Sequence, residues 1–356
     1  MKKALIFFIM FSILLFTGCF SNVNDPIPQS TPGDVTSESP MPEPDTVDEP
    51  ADTPEDVSED EIPDTEQEYD ENLPIVYFTM DISPEGLMAV YESLNWTPTG
   101  NVAVKISTGE PPNSNYLRPE LIGDLVRHVN GTFVECNTAY GGSRARTARH
   151  KQVAVDHGFT AIAEVDIQDE NGSTGLPVTG GTHLTENFVG ASFLDYDCYI
   201  ILSHFKGHGM AGYGGAIKNA SIGLASAEGK SWIHSGGTST KGLSGDQNAF
   251  LESMAEAAKS VADALPEGRI IYISVMNRLS IDCDCMGNPA EPDMHDIGIL
   301  ASLDPVALDQ ACIDLVYAAT DSASLIARIE SRNGLLTIEH AELIGLGSRE
   351  YYLVIE

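Results

Sequence analysis

Positive charge is scarce in this chain of 356 residues: 19 Lys and Arg face 53 Asp and Glu, a formal net charge of −34. So acidic a surface repels polyanions and excludes a nucleic-acid partner or a foothold on anionic headgroups. An internal repeat is missing, and so is a second apolar span. The one long apolar run, Ala4 to Phe16, is broken only by Ser12 and is too short for a comfortable bilayer crossing. Five cysteines remain after Cys19, an odd number without the spacing of a disulfide framework.

What is present divides the chain in three. Met1-Lys2-Lys3, the apolar run and Thr17-Gly18-Cys19 form the pattern of a lipoprotein signal peptide over residues 1–18, although Phe16 stands where leucine is usual. Cleavage before Cys19 would leave its sulfur to carry a diacylglycerol, giving an extracytoplasmic protein held to the cell membrane by lipid. Residues 20–73 hold 18 Asp and Glu and no Lys or Arg, interleaved with Pro, Ser and Thr. With so little apolar surface to bury, residues 19–73 are expected to be a disordered spacer. Residues 74–356 keep 35 acidic and 17 basic residues and are long enough to bury a full core, as one large unit or two lobes.

Within that domain, apolar runs alternate with amphipathic ones. Strands are expected at Ile75 to Met80, Asn101 to Ile106, Thr132 to Cys136, Thr160 to Val165, Asp197 to Ser203, Arg269 to Met276 and Ile297 to Ala301. Helices are expected at Glu85 to Leu94, Arg118 to Val129, Ala145 to His157 and Gln247 to Leu265, with a further one capped by Asp304 and opened by Pro305. This alternation predicts an α/β fold with a mostly parallel or mixed sheet and flanking helices. Ligands of such sheets bind beyond the carboxyl ends of the strands, so the loop after Asp197 to Ser203 is the place to look.

That loop sets His204, Lys206, His208 and Lys218 among Gly207, Gly209, Gly212, Gly214 and Gly215. Its G-x-G-x-x-G is a weak dinucleotide signal, and no Lys-Ser or Lys-Thr follows these glycines to make a phosphate-binding P-loop. Exposed amides of such a turn can still cradle an anion, with Lys206 and Lys218 supplying charge, and the histidines can move protons or bind metal. The plainer alternative is a tight turn with two hydrogen-bonded histidines. A third histidine follows at His234. Cys283-Asp284-Cys285 is the second candidate: both sulfurs of an extended C-x-C point one way and can reach a soft metal, or they can form a local disulfide or stay as free thiols. Cys136, Cys198 and Cys312 read as core thiols. The loop Asn137 to Thr147, with Arg144 and Arg146 at a helix start, is either an anion seat or a solvated cap.

The stretch Asn137 to Phe159, the loop His204 to Asn219 and Cys283-Asp284-Cys285, together with Ala225-Ser226, Gly229-Lys230, His234-Ser235, Asp296 to Ser302, Asp304-Pro305-Val306-Ala307 and Gly345 to Arg349, resemble domain-of-unknown-function family 362 over nearly all of residues 75–355. The family is often labelled as uncharacterised Fe–S centre proteins. The resemblance implies a metal or iron–sulfur cofactor, but many members carry a ferredoxin insert after the position of His234-Ser235. Here the interval Gly236 to Asp246 is short and lacks cysteine. Three functions therefore compete. One is a redox protein using a transition metal or iron–sulfur cluster at His204, His208, Cys283 and Cys285, with an electron-transfer partner. The second is a non-redox enzyme on a small anionic metabolite, and the third a lipoprotein that binds a ligand without turnover.

Overall fold

Strand formation follows the apolar, β-branched and aromatic runs. The computed structural model describes residues 72–356, together with a short backbone pairing at Ile6–Phe7. The leader, Cys19 and nearly all of the acidic tether otherwise lie outside the described residues. In chain order the strands are β1 (Ile6–Phe7), β2 (Ile75–Thr79), β3 (Val102–Lys105), β4 (Thr132–Glu135), β5 (Val165–Ile167), β6 (Ser173–Pro177), β7 (Glu186–Gly190), β8 (Cys198–His204), β9 (Lys206–His208), β10 (Gly212–Gly214), β11 (Ile270–Met276), β12 (Gly298–Ser302) and β13 (Tyr352–Ile355). The helices are α1 (Pro84–Ser93), α2 (Pro119–His128), α3 (Thr147–Asp156), α4 (Ala216–Ser221), α5 (Ala227–His234), α6 (Gln247–Asp263), α7 (Pro305–Ala318), α8 (Ala323–Ser331) and α9 (Leu336–Leu343).

The main sheet runs β1-β13-β2-β12-β11-β8-β3-β4-β5. All neighbouring pairs are parallel except those made by β12 and β1. The central strands are covered on both faces, which is why β8 reads Cys-Tyr-Ile-Ile-Leu-Ser without alternation. Tyr199 and Ile201 of β8, Tyr272 and Met276 of β11 and Leu300 of β12 enter one core, with Val306 and Leu308 of α7. Ile200 and Leu202, Ile271, Ile273 and Val275, and Ile299 and Ala301 enter the other, with Leu87 of α1 and Leu125 of α2. Successive side chains thus feed opposite helical layers, as the two-residue period of a strand requires. Two lobes do not form, because the described residues 72–356 fall within one compact unit. No helix among them is long and apolar enough to cross a membrane.

One expected strand is displaced. Gly158, at φ +89°, ends α3, and Phe159–Ala161 then makes a 3-10 turn; the strand begins only at Val165. Phe159 is drawn inward against Phe133, so an apolar run that could pair is used for packing. The β6–β7 hairpin, α8, α9 and β13 lie outside the expected elements; β6, Ser-Thr-Gly-Leu-Pro, carries no clear alternation.

Asp304 caps α7 as its sequence predicts: Oδ1 accepts from Val306 N at 2.8 Å and Ala307 N at 3.0 Å, and Oδ2 accepts from Ser348 N at 2.9 Å. Asp304→Ala is expected to lower unfolding free energy by about 1–2 kcal/mol in urea titrations, the range for a lost N-cap.

Candidate functional site

Parallel strands β3, β4 and β8 end along one edge, at Lys105, Glu135 and His204. Beyond that edge lies a cleft of about 390 Å³. Its walls come from these strand ends, the β9–β10 hairpin, α4, α5 and the Cys283–Met286 segment. The charged side chains lining it are Lys105, Arg144, Lys206, Lys218 and Lys230 against Glu135 and Asp284. In a chain of net −34 this is a local excess of positive charge.

Most of that charge is neutralised within the protein. Glu135 receives Lys105 at 3.3 Å and Arg144 at 3.1 Å, and its Oε1 accepts from the amide and hydroxyl of Thr108. Burial pushes its carboxyl up, but Lys105, His150 and Arg144 outweigh burial and hold it well below the usual range. Arg144 also pairs with Glu110 at 3.3 Å and donates to the Tyr140 hydroxyl at 3.1 Å. The loop Asn137 to Thr147 therefore sends Arg144 inward as a structural cation and leaves Arg146 exposed.

Asp284 forms the second cluster. Its Oδ1 meets Lys206 Nζ at 2.9 Å and its Oδ2 meets His204 Nδ1 at 3.0 Å, all with side chains at most 5% exposed. Burial raises this carboxyl, yet His204 and Lys206 bring it down to about 2. The other ring nitrogen of His204 donates to the Asn277 carbonyl at 2.8 Å. Both nitrogens of His204 are thus taken, and it does not join the sulfurs as the C-x-C reading expected. Lys206, also bonded to the Asn115 carbonyl, is likewise committed.

The glycine-rich segment is a hairpin, β9–β10, leading into α4. Its glycines serve close packing. A Cβ on Gly207 would lie 2.4 Å from the Ile281 carbonyl, and one on Gly215 would lie 2.3 Å from Asp309 Oδ1; Gly212 opens β10 at φ +81°. The Gly207 amide bonds the Ser280 carbonyl, and the Ala216 and Ile217 amides bond Asp309. These amides are unavailable to a phosphate, whereas Gly209 and Gly214 line the cleft, where a Cβ would make only ordinary contact, at 3.9 Å from Arg328 Nη1 and 3.6 Å from Lys218 Cδ.

His208 reaches the C-x-C pair. Its nearest nitrogen and the sulfurs of Cys283 and Cys285 all lie within 4.8 Å of one another, so the three could hold a metal ion. The sulfurs are joined as a disulfide. Nδ1 of His208 accepts from Met210 N at 3.2 Å and Ala211 N at 2.9 Å, which leaves the ring proton on Nε2. Burial first, then Lys218, keeps the ring neutral. An iron–sulfur cluster needs four such donors. Only three gather among the described residues: Cys198 and Cys312 are in the cores, and Cys136 donates to the Leu224 carbonyl with burial pushing its thiol up to about 12. The residues present do not fit a cluster.

Two groups remain free. The Lys218 ammonium has no hydrogen-bond or ion-pair partner among the described residues, and burial, aided by Lys105 and Lys230, lowers it to about 8. His234 donates Nδ1–H to the Lys230 carbonyl at 2.6 Å and stacks on Phe250, leaving Nε2 without a protein partner. Burial, reinforced by Lys218 and Lys230, lowers it to about 4, so the ring is a neutral acceptor. In the sequence His234 was only a histidine of unassigned placement; its position four residues after Lys230 on α5 was the available signal. Glu135 and Glu110 carried no motif at all.

A family model described as Domain of unknown function (DUF362) matches residues 102–314. No curated protein matches. Among solved structures, the lactate racemase apoprotein from Thermoanaerobacterium thermosaccharolyticum is similar at 15% identity and a TM-score of 0.34, covering 56% of this chain and 50% of that one. A Thermotoga maritima protein is similar at 11% identity and a TM-score of 0.36, covering 73% and 58%. This chain therefore spans only about half of their lengths, and neither likeness bears on the chemistry of the cleft.

The depressed His234 has a signed consequence. Between about pH 6.5 and 4 the unfolded ring binds a proton that the folded ring refuses, so stability falls as pH drops through this window. The loss is on the order of 3 kcal/mol. His234→Gln is expected to flatten that segment of the urea-derived stability profile; an unchanged slope would place the effect elsewhere.

Proposed function

The chain belongs to the domain of unknown function 362 family, and on that footing we propose that its cleft binds a small anionic metabolite and acts on it by proton transfer. Lys218 is the anchor for the anion and His234 the base. The observation that carries this is the Lys218 ammonium, half-buried in the cleft without a counter-ion. A buried unpaired charge is costly, and an arriving carboxylate or phosphate removes that cost. At about 8, Lys218 is still mostly charged at neutral pH.

His234 is set up for the proton step. The Lys230 carbonyl fixes its tautomer and leaves an Nε2 lone pair toward the cleft. A bound anion offsets the fields of Lys218 and Lys230 and so raises the basicity of the ring. Lys218 can then stabilise negative charge that develops on the substrate as the proton leaves. His204 and Lys206 contribute by holding Asp284, and His208 offers an Nε2–H donor.

The grouping of His208, Cys283 and Cys285 favours a second reading, in which the reduced sulfurs hold a transition metal. A redox role would add an electron-transfer partner. Under either reading the domain works outside the cell, held to the membrane by lipid on Cys19 through an acidic spacer. The small-small-Cys sequence after the apolar run supports this, and Cys19→Ala is expected to abolish incorporation of labelled fatty acid in cells.

Calorimetric titration of the full chain with inorganic phosphate and with succinate tests the anion reading. Lys218→Ala is expected to weaken the better of the two at least ~10-fold, the loss of one charge-assisted contact, with Lys218→Arg recovering part of it. Equal affinity in wild type and Lys218→Ala would sink the proposal.

A further inference from the structure

Cys283 and Cys285 differ from the other three cysteines of the domain. They are half-buried at the cleft wall and bonded to each other, whereas Cys136, which also reaches that wall, Cys198 and Cys312 are buried free thiols. A small reductant entering the cleft therefore meets this pair, the other three being free thiols already. A disulfide sulfur carries no charge and is a poor ligand, while a thiolate is a strong one for soft cations.

The backbone around the pair is clamped independently of the sulfur–sulfur bond. Asp284 lies between Lys206 and His204, and its carbonyl accepts from Glu110 N at 2.8 Å. The Cys285 carbonyl accepts from the Tyr140 hydroxyl at 2.9 Å. One residue before the pair, Asp282 meets Arg328 at 3.0 Å. None of these contacts uses sulfur. Opening the bond leaves a loop still pinned on both sides of the two side chains, with His208 alongside.

We infer that Cys283 and Cys285 form a redox-gated site for a soft divalent cation: closed to the ion as a disulfide, and a preorganised dithiolate chelate once reduced. This deepens, and rests on, the metal reading of the cleft. The steps balance. A small dithiol donates two electrons and two protons, giving two protein thiols and its own cyclic disulfide. A zinc ion then replaces both thiol protons, which pass to solvent. Two thiolates fill only part of a tetrahedral shell, and His208 keeps its ring proton on Nε2, so the ion keeps open positions toward the cleft.

The test uses the full chain in two states, reduced by a dithiol that is then removed without oxygen, or oxidised. Zn²⁺ binding is measured in each with a competing chelator. The reduced chain is expected to bind one equivalent at least ~100-fold more tightly than the oxidised chain. Cys283→Ser and Cys285→Ser are expected to abolish the difference, and Cys312→Ser to preserve it. Because a serine variant can fail to fold, thiolate-to-cadmium absorption on wild type supplies a second readout, expected in the reduced state alone. Equal zinc affinity in both states, tight binding retained by both serine variants, or a chain that cannot be oxidised to the bonded pair overturns the proposal. Phosphate titration of the oxidised chain and its Lys218→Ala variant reads the anion site separately, so the two failures are distinguishable.

Discussion

The carboxylate of Asp284 holds the buried side chains of Lys206 and His204 at once, and the rest of the cleft depends on that contact. His204 ends β8 and Lys206 begins β9, two residues apart on a nearly continuous extended stretch, so both polar ends face the same way. Each would be costly to bury alone. Asp284 satisfies both, and in doing so draws the Cys283–Met286 segment across the carboxyl edge of the sheet, where it becomes a wall of the cleft. Removing the carboxylate leaves the Lys206 ammonium buried without a counter-ion, a loss that typically exceeds what the pair itself contributes.

Glu135 does the same work at the end of β4, gathering Lys105 and Arg144 while Tyr140 ties that loop to Cys285. The two clusters consume most of the charge that a count of basic residues would assign to ligand binding. What is left over defines the chemistry: an ammonium without a counter-ion, an imidazole nitrogen without a partner, and a pair of sulfurs at the surface of the cavity. Lys218 and His234 arrive on α4 and α5, short helices packed over the sheet edge.

The architecture was largely legible in the amino-acid order. The buried strands β8 and β11, the Ala-rich α6 and the Asp304-Pro305 helix start announce themselves through unbroken apolar runs and capping chemistry, which are local properties. The displaced strand near Phe159 shows where local reading stops, because an apolar run is equally able to pair or to pack. The chemically rich segments were legible too: the His204–Lys218 loop and Cys283-Asp284-Cys285 do meet in one cleft.

Which side chain in those segments stays free was not legible. His204, Lys206 and His208 look alike in the sequence, two residues apart on one extended stretch. Their partners are Asp284, Asn277 and Asn115, and the amides after His208, so two of the three are set by residues about 70 to 90 positions away. The sequence by itself determined the elements, their alternation, the charge imbalance and the inventory of chemical groups, since each depends on neighbours along the chain. Only the tertiary structure decided that Lys218 and His234 are the unpartnered groups and Asp284 the anchor, because pairing of buried charges depends on distance in space.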